Sequence, residues 1–144
     1  MEVKIKKLKE NAVIPTRGSK EAAGYDLYAC CDDVVIIESH KTEKIGTGLV
    51  MQPPKGYFGA IFARSGLATK NGLRPANCVG VCDEDYTGEY IVALHNDTNY
   101  PQVINPRDRI AQLVFLPYIN VDFCEVNELD NTERGNDGFG STGR

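Results

Sequence analysis

Residues 44–63 read KIGTGLVMQPPKGYFGAIFA, and this stretch decides the fold class of the chain. Two runs with strand-like composition, Lys44–Met51 and Tyr57–Ala63, flank the turn residues Pro53-Pro54-Lys55-Gly56. Proline and glycine punctuate strands, whereas β-branched and aromatic residues favour them. The stretch therefore predicts two short strands joined by a turn.

The same alternation of strand-like runs and turns continues on both sides of this stretch. No window of a dozen residues keeps the apolar spacing of three and four that a long helix needs, and Arg64–Lys70 is the one predicted helical turn. Many short strands with frequent turns predict an all-β sandwich or barrel. The further predicted strands are Val3–Lys6, Asp26–Cys30, Val34–Ile37, Tyr90–Leu94, Ile110–Leu116 and Val121–Val126.

Length and composition limit the class of protein. The chain has 144 residues, 42% of them hydrophobic and 25% charged, which predicts one globular domain and excludes a wholly disordered chain. A net charge of −4 disfavours binding to nucleic-acid polymers and to anionic membranes, although a local pocket for a small anion stays open. We expect neither a membrane span nor a secretory signal.

The cysteines predict a reducing compartment, because five is an odd number and no export signal accompanies them. We therefore expect a cytoplasmic protein, with a nuclear or phage-infected-cell setting left open. Cys78 and Cys82 lack the second ligand pair of a zinc site, so small buried thiols are the expectation.

The composition changes at the C-terminus, where residues 134–144 read RGNDGFGSTGR. Glycines let backbone amides approach an anion closely, and the hydroxyls of Ser141 and Thr142 add donors without charge. Together with Phe139 and Arg134 they suit a nucleotide. We therefore predict a domain over residues 1–133 and a mobile arm over residues 134–144; the alternative is a tail without function.

Two internal stretches carry groups that suit phosphate. Arg64-Ser65-Gly66 places a guanidinium beside a hydroxyl at a helix start, with a simple cap and a surface arginine as the alternative. Arg107-Asp108-Arg109 and Gln112 precede and enter an apolar strand, where a surface salt bridge is the alternative.

Carboxylates mark two further stretches. Asp26 lies inside an apolar strand and needs a partner, either an arginine or metal-bound water. Within residues 80–89, GVCDEDYTGE, Asp83 and Asp85 would share a face of a strand, where one could serve as a base or both could hold a metal. The alternative is an acidic hairpin turn that Gly88 closes.

Together, five stretches resemble the five ordered motifs of the trimeric dUTPase family, the deoxyuridine triphosphate nucleotidohydrolases. The resemblance implies a distorted β jelly roll, a homotrimer whose active sites are shared between subunits, and hydrolysis of dUTP to dUMP and pyrophosphate with Mg²⁺. Such an enzyme limits uracil in DNA and supplies dUMP for dTTP synthesis. The stretches are AGYDLYA, RSGLA, GVCDEDYTGE, RIAQLV and RGNDGFGSTG.

The resemblance also implies a role for each matching residue. Asp83 matches the general base that activates water for attack on the α-phosphorus, and Asp26 matches an aspartate that orders metal-bound water. Tyr86 matches the ring that packs on the deoxyribose. The other implied substrate-binding residues are Arg64, Ser65, Gly66, Gln112, Arg134, Gly140, Ser141 and Thr142 on the phosphate side, and Asn77, Val81, Cys82, Ile91 and Phe139 around uracil.

Three positions depart from the commoner family pattern, and two rival functions are considered. Gly66 replaces the serine of many members, although glycine is a known alternative there. Arg107 stands where the family often has glycine, which puts the turn before its strand in doubt, and Cys82 replaces a frequent isoleucine beside the base. A dCTP deaminase shares parts of these motifs but needs a proton-shuttling acid, which Tyr90–Leu94 does not offer. A nucleotide-gated interaction protein is the second alternative.

Overall fold

A computed structural model describes residues 1–77 and 79–138. Its described elements are strands apart from one short helix, which confirms the all-β prediction. Within these ranges, no helix is both long and apolar enough to cross a membrane. The elements are β1 (Lys4–Lys7), β2 (Tyr25–Tyr28), β3 (Val35–Ile37), β4 (Thr42–Gly46), β5 (Leu49–Gln52), β6 (Tyr57–Phe62), α1 (Ser65–Asn71), β7 (Leu73–Pro75), β8 (Gly80–Cys82), β9 (Ile91–Asn96), β10 (Gln102–Ile104) and β11 (Arg109–Pro117).

The strands form small antiparallel sheets that bury one apolar core. The four-stranded sheet has the order β2-β11-β6-β8, and the three-stranded sheet has the order β4-β9-β7. Strands β1 and β5 form one further pair, and β3 and β10 form another. Buried and solvent-facing residues alternate along β9, as is usual when one sheet face covers a core. The core contains Leu27, Ile37, Ile45, Ile61, Leu73, Val92, Leu94, Ile110 and Leu113.

The register of the four-stranded sheet determines which functional side chains are neighbours. Asp26 on β2 pairs with Gln112 on β11, which in turn pairs with Phe62 on β6. Cys82 on β8 pairs with Gly59, three residues away from Phe62 along β6. Strands lie about 4.8 Å apart and rise about 3.3 Å per residue, so Cys82 lies about 14 Å across the sheet and about 10 Å along it from Asp26.

The predicted strand Lys44–Met51 is in fact two strands, β4 and β5. Gly48 separates them with a φ of 68°, and a Cβ at this position would lie 2.7 Å from the Cys30 Sγ. Both the left-handed backbone and the close approach require glycine there. The three-residue strands β7, β8 and β10 were not predicted, because β7 ends at Pro75, β8 begins at Gly80 and β10 follows Pro101, and proline and glycine are typical of turns.

The predicted strand Val121–Val126 is wrong for this chain. The segment forms no strand, and its apolar side chains are exposed, Val121 by 64% and Phe123 by 98%. An alternating pattern favours a strand only where a partner edge and an apolar surface are within reach. Within the described residues, this segment has neither a partner edge nor an apolar surface against it.

The turn before β11 keeps a glycine-like backbone although Arg107 occupies it. Arg107 has a φ of 69°, and its N–H donates to the Ala29 carbonyl at 2.8 Å. The Asn105 N–H donates to the Asp108 carboxylate at 2.7 Å, which closes the turn. A left-handed non-glycine residue costs about 1 kcal/mol. The departure at Arg107 therefore leaves the turn intact at a modest cost in stability.

Candidate active site

Two arginines converge on one carboxylate at the edge of the four-stranded sheet. Arg64 Nε donates to Asp26 Oδ1 at 2.8 Å, and Arg109 Nη1 lies 3.3 Å from Oδ2. The Asp26 side chain is only 15% exposed, so it needs these partners. Two guanidinium groups on one carboxylate leave one net positive charge. The cluster can therefore attract an anion.

A cleft of about 480 Å³ opens beside this cluster, and four residues expected to hold phosphate line it: Arg64, Ser65, Gly66 and Gln112. The Gln112 amide is fixed, because Nε2 donates to the Ala63 carbonyl at 2.8 Å. A Cβ on Gly24 would lie 2.5 Å from Gln112 Oε1, so a larger residue there would displace this amide. The cleft thus combines cationic and neutral donors around a space that is open to solvent.

Asp83 lies elsewhere, in a second cleft of about 520 Å³. It follows β8 directly, and the Tyr86 N–H closes a turn onto its carbonyl at 3.1 Å. Asp83 and Asp85 therefore lie in a turn rather than on a strand, as the hairpin alternative held. Because β8 and β2 are at opposite edges of the sheet, one chain does not bring Asp83 to the arginine cluster.

The hairpin after β8 presents the remaining residues expected around a nucleoside. Tyr86 is 42% exposed, and its hydroxyl donates to the Glu89 carbonyl at 3.0 Å. Its ring packs on Tyr90, with the centroids 6.2 Å apart. Val81 and Ile91 are also exposed, by 60% and 45%. Asn77 is exposed as well, and its side chain lies against Gly80.

Cys82 points into the core behind this hairpin. It is 8% exposed, and burial raises the pKa of its thiol to about 11, with the Asp83 carboxylate acting in the same direction. The Tyr90 hydroxyl lies beside the thiol and lowers its pKa, but by less than burial raises it. Since the thiolate is the nucleophile of cysteine chemistry, Cys82 is an unreactive packing residue.

Alkylation with iodoacetamide at pH 8 should therefore spare Cys82 and modify the exposed Cys124. At a pKa of about 11, roughly one Cys82 thiol in a thousand is ionised at this pH, and burial blocks the reagent further. Peptide mass mapping over time measures both sites in one sample. Equal modification rates for the two cysteines would contradict the buried environment.

The C-terminal residues do not join either cleft within the described part of the chain. Arg134 is exposed, and its Nε donates to the Asp137 carbonyl at 2.9 Å. The other residues expected in the arm, Phe139, Gly140, Ser141 and Thr142, lie outside the described residues.

The described residues contain no cluster of three or more histidine, cysteine, aspartate or glutamate side chains that could hold a metal ion. Each Asp26 oxygen already has an arginine partner, which disfavours direct coordination. A carboxylate nevertheless has about four acceptor positions, so hydrogen bonds from water remain open to it. The donor set fits an outer role for Asp26 around a hydrated cation.

Arg109 lies in a stretch that the sequence indicated for phosphate, but it was not among the predicted substrate-binding residues. The stretch that leads into β11 contains two arginines, Arg107 and Arg109. The local pattern does not indicate which of them faces Asp26. The pairing of β11 with β2 decides it, because this pairing brings the start of β11 beside Asp26. Arg109 then lines the same cleft as Arg64 and Gln112.

Comparison with known proteins covers the whole chain. A family model described as dUTPase matches residues 10–143. A deoxyuridine 5′-triphosphate nucleotidohydrolase of Nautilia profundicola is 46% identical over 144 residues, which is 100% of both chains.

Solved structures agree with this match. The dUTPase of Staphylococcus bacteriophage 80alpha with dUPNHPP has a TM-score of 0.90 and 29% identity, covering 99% of each chain. A mutant dUTPase of phage phi11 of S. aureus, described as showing the coordination of a structural Mg(II) ion, has a TM-score of 0.82 and 25% identity over 91% of this chain and 100% of that one. The shared fold is the jelly-roll-like architecture that the sequence resemblance implied.

Proposed function

Since the chain belongs to the dUTPase family and is a dUTP diphosphatase, we propose that Asp83 activates the water that attacks the α-phosphorus. The products are dUMP and pyrophosphate. The observation that supports a triphosphate substrate is the Asp26–Arg64–Arg109 cluster, which lies in a cleft with Ser65, Gly66 and Gln112. This cleft has the charge and the donors that a triphosphate needs.

The phosphate side of the site orients the substrate. Arg64 and Arg109 neutralise part of the negative charge, and Asp26 holds both guanidinium groups in place. Gln112 and the Ser65 hydroxyl add uncharged donors. Holding the reacting phosphate in one geometry removes much of the entropic cost of the reaction.

The nucleoside side of the site comes from the hairpin after β8. Tyr86 would pack on the deoxyribose, and the hairpin with Asn77, Val81, Cys82 and Ile91 would read uracil largely with its backbone groups. The buried Cys82 side chain would take no part. The exposure of Val81, Tyr86 and Ile91 supports this role of the hairpin, because apolar side chains on one hairpin offer a surface for a base and a sugar. Asp83 precedes Tyr86 by three residues and would lie beside the α-phosphate.

We infer that the complete site forms between copies of the chain in a homotrimer. Asp83 and the arginine cluster are at opposite edges of one sheet, so a second copy is needed to bring them together. The exposed segment Val121–Val126 supports self-association, since its alternating apolar residues lack a partner in the described part of their own chain. A second copy supplies both the edge and the apolar surface that such a segment needs.

Residues 134–144 are proposed to close the site as an arm outside the domain of residues 1–133. A segment of this length extends roughly 36 Å, whereas the radius of gyration of the domain is about 14–15 Å, so the arm can reach a neighbouring copy. Phe139 would stack on uracil, and Arg134, Gly140, Ser141 and Thr142 would contact the phosphates.

Truncation after Glu133 should lower kcat/KM by roughly 10²-fold, because the site loses a ring, a cation and donors that order the substrate. The unfolding temperature should stay unchanged, since the described part of the arm, residues 134–138, is exposed and adds little to the core. Steady-state kinetics and thermal unfolding of the same preparation measure the two effects. Full activity of the truncated chain would show that the arm is only a tail.

Mg²⁺ fits this site as a cation that the triphosphate and water hold, with Asp26 accepting hydrogen bonds from its water. When bound, it would offset charge on the phosphate oxygens. The four described free cysteines suit the reducing cytoplasm that we propose as the location. In that setting the reaction limits uracil in DNA and supplies dUMP for dTTP synthesis.

Product analysis tests the proposed function. The purified chain is incubated with dUTP, dCTP, dTTP and UTP in parallel, with Mg²⁺ and with EDTA. We expect dUMP and pyrophosphate from dUTP alone, with a sharp loss in EDTA. Release of ammonia from dCTP would instead identify a deaminase, and no reaction with any of the four would favour a nucleotide-gated interaction protein.

A further inference from the structure

The glutamate that follows Asp83 is fixed to two distant parts of the chain. The Gly56 N–H donates to Glu84 Oε2 at 2.6 Å, and the Tyr118 hydroxyl donates to the same oxygen at 2.8 Å. The Tyr118 N–H donates to the Gly56 carbonyl at 3.1 Å and closes the ring of contacts. We call Gly56, Glu84 and Tyr118 the clasp. It joins the β5–β6 turn, the turn after β8 and the residue that follows β11.

The clasp has an ionised acceptor and a protonated donor at neutral pH. Hydrogen bonds from Gly56 and then from Tyr118 hold the pKa of Glu84 below its usual value, and the carboxylate raises the pKa of Tyr118. Glu84 is therefore ionised and Tyr118 remains a donor. The two hydrogen bonds define the clasp, and a neutral carbonyl oxygen can also accept both. Gly56 has a φ of 81°, a backbone conformation that favours glycine.

The clasp and Asp83 share one cleft. Asp83, Glu84 and Tyr118 all line the cleft of about 520 Å³. Asp83 itself is exposed and lies in a turn. On its N-terminal side the backbone is anchored by the buried Cys82 in β8, and on its C-terminal side by the Glu84 side chain. The direction of the Asp83 carboxylate therefore depends on both anchors.

We propose that Glu84 is a positioning residue that holds the Asp83 turn in its reactive orientation, an inference that rests on the proposed function. Glu84 acts through Asp83 and does not touch the substrate. Because Tyr118 is the first residue after β11, the same contact also sets where the C-terminal segment leaves the sheet beside Asp83. A displaced base costs rate rather than affinity, since substrate binding uses other residues.

Two substitutions at one position separate geometry from charge. Both hydrogen bonds end on a single oxygen of Glu84, so the glutamine carbonyl in Glu84→Gln can accept both while the charge is lost. Glu84→Ala removes both bonds. We expect Glu84→Ala to lower kcat for dUTP about ten-fold with KM within about two-fold of wild type, and Glu84→Gln to keep kcat within about two-fold.

Two further variants are Tyr118→Phe, which tests one bond of the clasp, and Glu43→Ala, which is the control. Tyr118→Phe removes one of the two bonds, and we expect a loss in kcat of about three-fold. Glu43→Ala removes an exposed glutamate on β4 and should leave kcat unchanged. Calorimetric titration with a non-hydrolysable imido analogue of dUTP should give Kd values within about two-fold of wild type for every variant, which a general loss of structure would not.

Different results would overturn the role of Glu84 and the proposed function. Wild-type kcat in Glu84→Ala would overturn the inference, and so would a loss in Glu84→Gln equal to that in Glu84→Ala, because charge alone would then matter. If Glu84→Ala fails to fold, the kcat of Tyr118→Phe decides in its place. A wild-type chain that releases no dUMP from dUTP would overturn the proposed function itself.

Discussion

Replacing Asp83 with asparagine should lower kcat for dUTP by about 10²–10⁴-fold, the usual contribution of a general base. Asparagine has nearly the same shape as aspartate but cannot accept the proton of the attacking water. The side chain is exposed at the edge of its cleft, so the substitution leaves no buried group without a partner. The measurement is kcat from steady-state release of pyrophosphate.

Binding should survive this substitution, because the phosphates are held by the arginine cluster and not by Asp83. We expect the Kd of an imido analogue of dUTP to stay within about three-fold of wild type. Asp33→Asn changes an exposed aspartate that lines neither cleft, so it serves as the matched control and should keep full kcat. Normal turnover by Asp83→Asn would show that Asp83 is not the general base.

Mixing two inactive variants should restore activity if the site is shared between copies. One variant carries Asp83→Asn and the other carries Arg64→Ala, which removes a cation from the phosphate cleft. In a trimer formed at random from equal amounts, about one quarter of the sites receive an intact Arg64 from one copy and an intact Asp83 from another. Activity should therefore rise from near zero to about a quarter of wild type.

The mixing experiment needs subunit exchange, so both variants are unfolded and refolded together. Wild type refolded alone sets the scale, and each variant refolded alone sets the background. Size-exclusion chromatography with light scattering on the same samples measures the mass of the assembly. A mixture as inactive as its components, with wild type recovered, would show that each chain builds its own site.

The sequence alone predicted the fold class and the motifs that contain the functional residues. Alternating runs and turn residues act locally, so β2, β6, β9 and β11 were recognised within a few residues. A helical turn was also predicted, over Arg64–Lys70, and the observed helix α1 is Ser65–Asn71. The ordered motifs predicted the dUTPase family, which the family comparison confirmed.

Strand limits and short strands escaped prediction for physical reasons. The division between β4 and β5 depends on Gly48 approaching Cys30, and the two residues are distant in sequence. Strands β7 and β8 pair with the six-residue strands β9 and β6, and β10 pairs with β3, and no three-residue window can show such contacts between distant segments. Val121–Val126 has the local pattern of a strand. A strand also needs a second strand to pair with, and the local pattern does not show whether one is present.

The sequence by itself determined which residue types are available for chemistry, namely an acidic turn, arginines beside hydroxyls and a glycine-rich end. Only the tertiary structure decided their partners. It placed Arg109 beside Arg64 on Asp26, put Asp83 at the opposite edge of the sheet, and tied Glu84 to Gly56 and Tyr118. The reason is physical: local pattern reports propensity and burial, whereas contacts between distant segments depend on strand order and register, which the whole chain sets together.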